Sequence, residues 1–206
     1  MEAMFENLTT TEAAVAAGVS VSQINRVFDE DILPHHLYSQ TESRSVRSDA
    51  CLLIAFYFET ADVLTKPARL HAMKDALTEC QTWSQWERCV VEDSGVSVRF
   101  YAYWKSVSER LTRLHEARSM VVEDPEILSG TPVIRGTRIP VYDVAALVEQ
   151  GTPIAELLEM YPRLNEARIE LASVYAKAVP EKGRPKRRDL PRGTLISVSK
   201  GRLKDA

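Results

Sequence analysis

Residues 9–27 read TTTEAAVAAGVSVSQINRV, and the expected architecture of the N-terminal region follows from them. Thr9 with Glu12, and Ser20 with Gln23, have the capping-box spacing, in which a hydroxyl side chain precedes a Glu or Gln by three residues at a helix start. Gly18 falls between the two predicted helices, where a glycine permits a tight turn. The sequence therefore predicts a helix-turn-helix.

The second of these helices has a polar face. Short polar side chains and arginine can hydrogen-bond to base edges, and a recognition helix places such residues in the major groove of DNA. We predict that the DNA-contacting residues of this face are Ser20, Ser22, Gln23, Asn25 and Arg26. The alternative is an ordinary helical hairpin, because short motifs also match by chance.

The composition changes after this helix. Residues 33–47 contain a proline, paired histidines and many Ser and Thr positions, which suits a small β-hairpin or wing. Arg44 and Arg47 of this segment complete the predicted DNA-binding set. A strongly apolar helix over residues 51–63 is expected to form the core. We predict a winged helix-turn-helix DNA-binding domain over residues 1–65.

Residues 66–118 are predicted to connect two modules. A helix begins near Pro67, since proline is favoured in the first helical turn. Trp83 and Trp86 are interpreted as core residues, because large aromatic side chains mostly stabilise interiors. Residues 90–103 are rich in Val, Phe and Tyr and predict a short β element, and an amphipathic helix follows.

The segment DPEILSGTPVIRGTRIPV occupies residues 124–141. Its glycines permit positive φ angles and its prolines fix φ, so we expect an ordered turn system. Its Arg135 and Arg138 either bind an anion or a partner, or hold the carbonyl groups of the turn. Three short helices follow, which together predict a trihelical, helix-turn-helix-like module over residues 119–180. The predicted fold class is therefore mostly α.

The net charge of −3 conceals two regions of opposite charge. After Pro180 there are nine basic and three acidic side chains, a balance of +6. The first 180 residues therefore hold 17 basic and 26 acidic side chains, a balance of −9. The chain is an acidic body with a basic tail, residues 181–206, and such a tail favours an anionic partner.

The motif Gly-Thr-Arg-Ile-Pro-Val at residues 136–141, with Tyr161-Pro162, resembles family four hundred and thirty-three of the domains of unknown function, over residues 119–180. The N-terminal 60 residues resemble the MerR-type helix-turn-helix that precedes this domain in some VapB-type antitoxins. The resemblance implies the antitoxin of a type II toxin-antitoxin pair, which binds and inhibits a PIN-domain ribonuclease toxin and represses its own operon by binding DNA. A stand-alone MerR-like transcription regulator without a toxin is the leading alternative, and a nuclease component or adaptor is a third.

The basic tail has the chemistry for such a toxin. PIN-type nucleases hold Mg²⁺ or Mn²⁺ with clustered carboxylates, and arginine forms bidentate, charge-assisted pairs with carboxylates. The predicted toxin-binding residues are Arg184, Arg187, Arg188, Arg192, Leu195, Ile196 and Arg202. Our hypothesis is that the tail is disordered alone and orders over the toxin. Non-specific contact with phosphates and a solvated tail without a partner are the alternatives.

One observation weighs against strong DNA binding by the N-terminal domain alone. Residues 1–60 contain three arginines and nine acidic side chains, a balance of −6, whereas DNA-binding domains normally have a basic surface. A homodimer doubles the contacts and matches a palindromic operator, and a hetero-oligomer with the toxin can supply further contacts. Without such help, the helix-turn-helix is a protein-docking fold.

The motifs of common enzymes are absent from the sequence. The four histidines lack zinc-binding spacing, and there is no P-loop, nucleophile elbow or Gly-rich dinucleotide loop. Cys51, Cys80 and Cys89 contain no C-x-x-C pair, so we interpret them as buried free thiols. We expect no enzymatic activity, no metal and no cofactor.

Membrane and secretory signals are absent from the sequence as well. No apolar run reaches the roughly 18 residues that a membrane-spanning helix needs. The first residues lack the basic start and apolar core of a secretory signal. We therefore expect a cytoplasmic protein without a membrane partner.

Overall fold

The computed structural model describes residues 6–41, 43–93 and 96–181. The prediction of a mostly helical chain with a few short strands is confirmed. The helices are α1 (Thr10–Ala17), α2 (Val21–Asp29), α3 (Cys51–Glu59), α4 (Lys66–Glu79), α5 (Tyr101–Met120), α6 (Val141–Glu149), α7 (Ile154–Met160) and α8 (Glu166–Ala178). The strands are β1 (Asn7–Thr9), β2 (Tyr38–Ser39), β3 (Ser45–Arg47), β4 (Val90–Asp93), β5 (Val96–Arg99), β6 (Val121–Val122) and β7 (Val133–Ile134).

Both predicted capping boxes form, at the starts of α1 and α2. The Thr9 backbone N–H donates to the Glu12 carboxylate at 2.9 Å, and the Glu12 N–H donates to the Thr9 hydroxyl. Ser20 and Gln23 make the equivalent pair at the start of α2. Gly18 ends α1 with a φ of +72°, and its N–H donates to two carbonyls of the last turn. The two capping-box motifs and Gly18 therefore predict these helix ends correctly.

A three-stranded antiparallel sheet with the order β1-β3-β2 lies beside these helices. Val46 of β3 pairs with Leu8 of β1 on one side and with Tyr38 of β2 on the other. All three side chains are buried, since they share the inward face of the sheet. The β2–β3 hairpin follows α2 after a short 3-10 helix (His35–Leu37), within the segment where a hairpin is predicted.

The helix α3 is buried on all sides, because its sequence is apolar on every face. Every side chain from Cys51 to Tyr57 is buried. The helix is shorter than the predicted 51–63. It ends at Glu59, and the N–H and the hydroxyl of Thr60 both donate to the Phe56 carbonyl.

The region between α4 and α5 completes this first core. Trp83 and Trp86 are buried in it, as predicted, and Trp86 contacts Phe100 edge to face. The predicted β element is the β4–β5 hairpin. Helix α5 begins at Tyr101, inside the segment predicted as strand, because Tyr103 and its neighbours pack against α3 as a helical face.

A second core lies between β6–β7 and the helices α6, α7 and α8. Three helices follow the turn system, as predicted, and Asn165 caps α8 by accepting from the Arg168 N–H. The end of α5 also contributes to this core through Ala117 and Met120. The first core contains residues from both predicted units 1–65 and 66–118. The boundaries of these units stay a prediction.

Helix α1 contacts α2, α3, α5 and α8, and so joins the two cores. Four of its residues are buried alanines, which allow the neighbouring helices to approach closely. Arg110 of α5 donates to the Ala17 carbonyl at the C-terminal end of α1. Arg118 of α5 bonds to Glu12 and Glu6 near its N-terminal end. Thr11 donates to the Ala178 carbonyl of α8 at 2.6 Å.

The turn between α1 and α2 gives a first prediction. A Cβ atom at Gly18 would lie 2.5 Å from the Arg110 guanidinium, whereas a Cβ at Gly151 would meet nothing within 4 Å, although both residues have positive φ. Gly151→Ala is expected to cost about 1 kcal/mol of unfolding free energy through backbone strain. Gly18→Ala is expected to cost about 1 kcal/mol more, since Arg110 loses its bond to Ala17. Urea unfolding measures the loss of unfolding free energy for both variants. Equal losses would show that the contact between residue 18 and Arg110 has no effect on stability.

The buried Glu12 carboxylate gives a second prediction. Burial raises its pKa, but hydrogen bonds from Thr9 and Arg118 outweigh burial, so its pKa is lowered overall. The stabilisation is therefore present above the ordinary carboxyl pKa and is lost as the pH falls through the lowered value. Glu12→Gln keeps the capping box but loses the charge. It is expected to cost about 1–2 kcal/mol at pH 7 and to flatten the acid slope of stability.

The control for this experiment is Glu170→Gln. Glu170 forms an ion pair with Arg113 in which both side chains are about half exposed. Exposed pairs contribute about 0–1 kcal/mol, so this variant is expected to keep nearly the full stability. Thermal unfolding between neutral and acid pH compares the two variants. An unchanged acid slope for Glu12→Gln would show that other groups set it.

Candidate nucleic-acid interface

The five predicted residues of α2 lie at or near the protein surface. Ser20, Ser22 and Arg26 are exposed, and Gln23 and Asn25 are half-buried. The opposite face of the helix is buried in the first core through Ile24, Val27 and Phe28. The helix therefore turns a polar face outward, as the spacing of its apolar residues predicts.

The side chains at the start of α2 bond to one another. The Ser20 hydroxyl lies 2.8 Å from the Ser22 hydroxyl and 3.0 Å from the Gln23 side-chain oxygen. Gln23 also accepts from the Ser20 N–H at 2.8 Å. Ser20 and Gln23 hold the helix end in place, so Ser22 and Asn25 are the polar side chains better placed to reach a ligand.

Arg44 connects the loop of the β2–β3 hairpin to α2. Its guanidinium donates to Asp29 at 2.7 Å and to the Asn25 side-chain oxygen at 3.1 Å. It also lies over the Phe28 ring, 5.2 Å from the ring centre. The structure therefore brings Arg44 and Asn25 together, although 19 positions separate them in the sequence.

Arg26 belongs to a three-residue ion-pair group at the other side of α2. It bonds to Glu30 at 2.9 Å, and Lys66 of α4 bonds to the same carboxylate at 2.8 Å. Hydrogen bonds from Lys66 and Arg26 lower the pKa of Glu30 to about 2. The Arg26 guanidinium also lies over the Phe58 ring. Glu30 was not among the predicted site residues, although its spacing of four from Arg26 is the signal for a helical ion pair.

Arg47 lies in a different environment. It pairs with Asp49 at 2.6 Å and, with that residue, lines a small cleft beside Cys80 and Trp83. The predicted set therefore divides into the α2 face with Arg44, and Arg47 beside the end of α4.

Carboxylates accompany the cations of this surface. Within the described residues, Arg26, Arg44 and Arg47 each pair with an acidic side chain. A phosphate backbone approaching α2 therefore meets arginines that each have an acidic partner. The one excess positive charge in these groups comes from Lys66, which shares Glu30 with Arg26. Non-specific attraction to nucleic acid is weak under these conditions, because it depends on free positive charge.

The predicted toxin-binding residues lie outside the described residues. All of them, from Arg184 to Arg202, belong to residues 182–206. The root of this tail is described, and it is held at two points. Tyr142 of α6 donates to the Val179 carbonyl at 2.9 Å, and Thr11 donates to the Ala178 carbonyl.

The arginines of the turn system differ in their contacts. Arg135 donates through Nε to the Ser119 carbonyl at 2.9 Å, and its own carbonyl accepts from Arg168. Ser119 belongs to α5, so Arg135 connects the turn to that helix. The sequence predicts instead a contact with the carbonyls of the turn itself, or with an anion or a partner. Arg138 is exposed on the same turn, for which Gly136 supplies a φ of +78°.

The described residues contain no group of three or more His, Cys, Asp or Glu side chains that could hold a metal ion. The three cysteines are buried, as predicted, and burial raises the pKa of the Cys51 thiol well above its ordinary value. Protonated, buried thiols are poor nucleophiles. Over the same part of the chain, no helix has the length and apolar content to cross a membrane.

Comparison with known proteins gives one family match and one close relative. Residues 121–176 match the family described as Protein of unknown function (DUF433). The chain is 45% identical over 206 residues to the uncharacterized protein y4eO of Sinorhizobium fredii (strain NBRC 101917 / NGR234), with 95% of this chain and 92% of that protein covered. No solved structure matches. The chain therefore belongs to the same protein family as y4eO, and its residues 121–176 are similar to the DUF433 family.

Proposed function

We propose that this protein is the antitoxin of a type II toxin-antitoxin pair. In this proposal it acts in the cytoplasm by binding and without catalysis. It contacts operator DNA through α2 and the β2–β3 hairpin and represses its own operon. It also captures a PIN-domain ribonuclease toxin through the basic tail, residues 181–206.

The observation that carries the DNA-binding part is the order and pairing of the first elements. The chain runs β1, α1, a left-handed turn at Gly18, α2 and the β2–β3 hairpin, with β3 between β1 and β2. This order supports the proposal of a winged helix-turn-helix, in which the second helix enters the major groove and the hairpin lies beside it. The exposed polar face of α2 and the position of Arg44 on that face support the same interpretation.

The surface charge favours an assembly over a single chain. Each arginine of the predicted interface pairs with a carboxylate within the described part of the chain, so one copy offers little net positive charge. A homodimer on a palindromic operator doubles the base contacts. The tail or a bound toxin can add the missing phosphate contacts, so repression is expected to be stronger for the complex than for the antitoxin alone.

The toxin part of the proposal has a different basis. It depends on the resemblance to VapB-type antitoxins and on the balance of +6 after Pro180. The arginines of the tail match a nuclease site built from carboxylates. The alternative is a MerR-like regulator without a toxin, and co-expression with the product of an adjacent small reading frame, followed by co-purification, separates the two.

The interface of α2 gives a third prediction, on operator binding. Asn25→Ala is expected to weaken specific binding by about tenfold, as for the loss of one base-reading contact. Asp29→Asn removes the carboxylate that neutralises Arg44, so it is expected to tighten binding severalfold and to increase the salt slope by about one. Fluorescence anisotropy with the operon's own upstream DNA measures both effects at fixed ionic strength.

The matched control for Asp29→Asn is Glu159→Gln, which removes one exposed carboxylate from α7. This variant is expected to leave DNA affinity unchanged. If Glu159→Gln tightened binding as much as Asp29→Asn, net charge alone would explain the effect. If Asn25→Ala bound as tightly as the original chain, α2 would not be the recognition helix.

The tail gives a fourth prediction. A chain that ends at Pro180 keeps every described helix and strand, so it is expected to unfold at the same temperature as the full chain. It is expected to lose inhibition of the toxin ribonuclease, because the predicted arginines are gone. Cleavage of an RNA substrate by the purified toxin, with each form added, measures this. Undiminished inhibition by the shorter chain would place the toxin contact in the body of the protein.

A further inference from the structure

A cleft of about 320 Å³ opens between α1, α5, α6 and α8, away from the predicted DNA-binding face. This volume lies at the lower end of the range for small-molecule sites. Val15, Val148 and Val174 form its apolar wall. Its polar lining consists of Arg110, Arg113, Glu170, Ser173 and Lys177. The two cores of the protein meet at this cleft.

The charge of the lining is positive. Glu170 is its one carboxylate, and Arg113 pairs with it at 2.6 Å. Arg110 donates to the Ala17 carbonyl, and neither Arg110 nor Lys177 has an ion pair with any residue that the structure describes. Two positive charges therefore face the cleft without a counter-charge.

A buried hydroxyl in the same lining has no partner. The Ser173 Oγ atom is inaccessible to solvent and makes no hydrogen bond within the described structure. A buried polar atom without a partner is costly, and such atoms are uncommon in folded proteins. A ligand with an acceptor group in the cleft would bond to the two cations, and rotation of the Ser173 side chain would bring its hydroxyl to the same group.

The geometry points to a binding site for a small organic anion in this cleft. A carboxylate or phosphate group of the ligand bonds to Arg110, Lys177 and Ser173, and its apolar part packs against the three valines. The electrostatic and apolar features of the lining match the two parts of one such molecule. A purely inorganic anion would leave the valine wall without a contact.

The cleft is also connected to α2. The Arg110 guanidinium lies against Gly18 in the turn between α1 and α2. An anion that engages Arg110 competes with the Ala17 carbonyl for its N–H groups and changes the support of this turn. The anion is therefore an effector of DNA binding, a role that rests on the proposed function, whereas the binding site itself does not.

Calorimetry on the full chain without DNA tests the site. Octanoate and phenyl phosphate serve as the carboxylate and phosphate probes, and octanamide is the uncharged comparison. At least one anion is expected to bind with a dissociation constant in the millimolar range or below, and octanamide is expected not to bind. The anion that binds more tightly identifies the class of the charged group. Binding of neither anion, or equal binding of octanamide, would overturn the proposal.

Two variants of the cleft and one control variant outside it locate the bound probe. Lys177→Met is expected to weaken binding about tenfold, as for the loss of a charge-assisted hydrogen bond. Lys105→Met, which removes an exposed lysine of α5 outside the cleft, is expected to have no effect. Ser173→Ala is expected to weaken binding while the unfolding temperature stays equal or rises, because an unpartnered hydroxyl is removed. Equal affinities for all three variants would place the anion elsewhere.

The effector role has its own measurement. Operator affinity is compared with and without the bound probe, in the original chain and in Lys177→Met. A change in affinity that is lost in Lys177→Met supports the role. An unchanged operator affinity for the original chain, with the probe bound in calorimetry, would overturn it. The calorimetry is done without DNA. It therefore tests the anion site even if the protein does not bind the operator.

Discussion

The close packing of α1 is the constraint on which the rest of this structure depends. Four buried alanines on an eight-residue helix leave room for neighbours on all sides, and α2, α3, α5 and α8 each pack against it. A larger side chain at any of these alanines would push one neighbour away, and overpacking typically costs about 1–3 kcal/mol. Polar bonds then fix the register of the long helix α5 along α1, with Arg110 at one end and Arg118 at the other.

Local signals predict much of this fold because they act over a few residues. Thr9, Ser20 and Asn165 each cap a helix, and Gly18 takes the left-handed conformation that its turn requires. Long-range partners have no such signal. Arg118 finds Glu12 across 106 positions, and nothing in the sequence distinguishes it from the other arginines of α5. The early start of α5 has the same cause, since contact with α3 overrides the strand preference of Tyr101 and Tyr103.

The sequence predicted which residues form the candidate interface, but not which of them bond to one another. Spacing on α2 predicted the face that turns outward, although Gln23 and Asn25 on that face are half-buried. It did not show that Ser20 and Gln23 bond to each other, that Asp29 holds Arg44, or that Arg47 lies apart beside Trp83. The cleft residues Arg110, Ser173 and Lys177 were missed entirely, because α5 and α8 lie far apart in the sequence and meet only through tertiary packing. The partners of the three arginines in residues 1–60 are Glu30, Asp29 and Asp49, which are three of the nine acidic side chains in this region.

The hydrogen bond from Thr11 to the Ala178 carbonyl has a geometric consequence for any partner of the tail. It fastens the end of α8, just before residues 182–206, next to α1, the helix that supports α2. A pull on these residues reaches α8 through the covalent chain, and it reaches α6 and α1 through the hydrogen bonds of Tyr142 and Thr11. In the proposed function, the segment that holds the toxin and the helix that contacts the operator are therefore linked through α1.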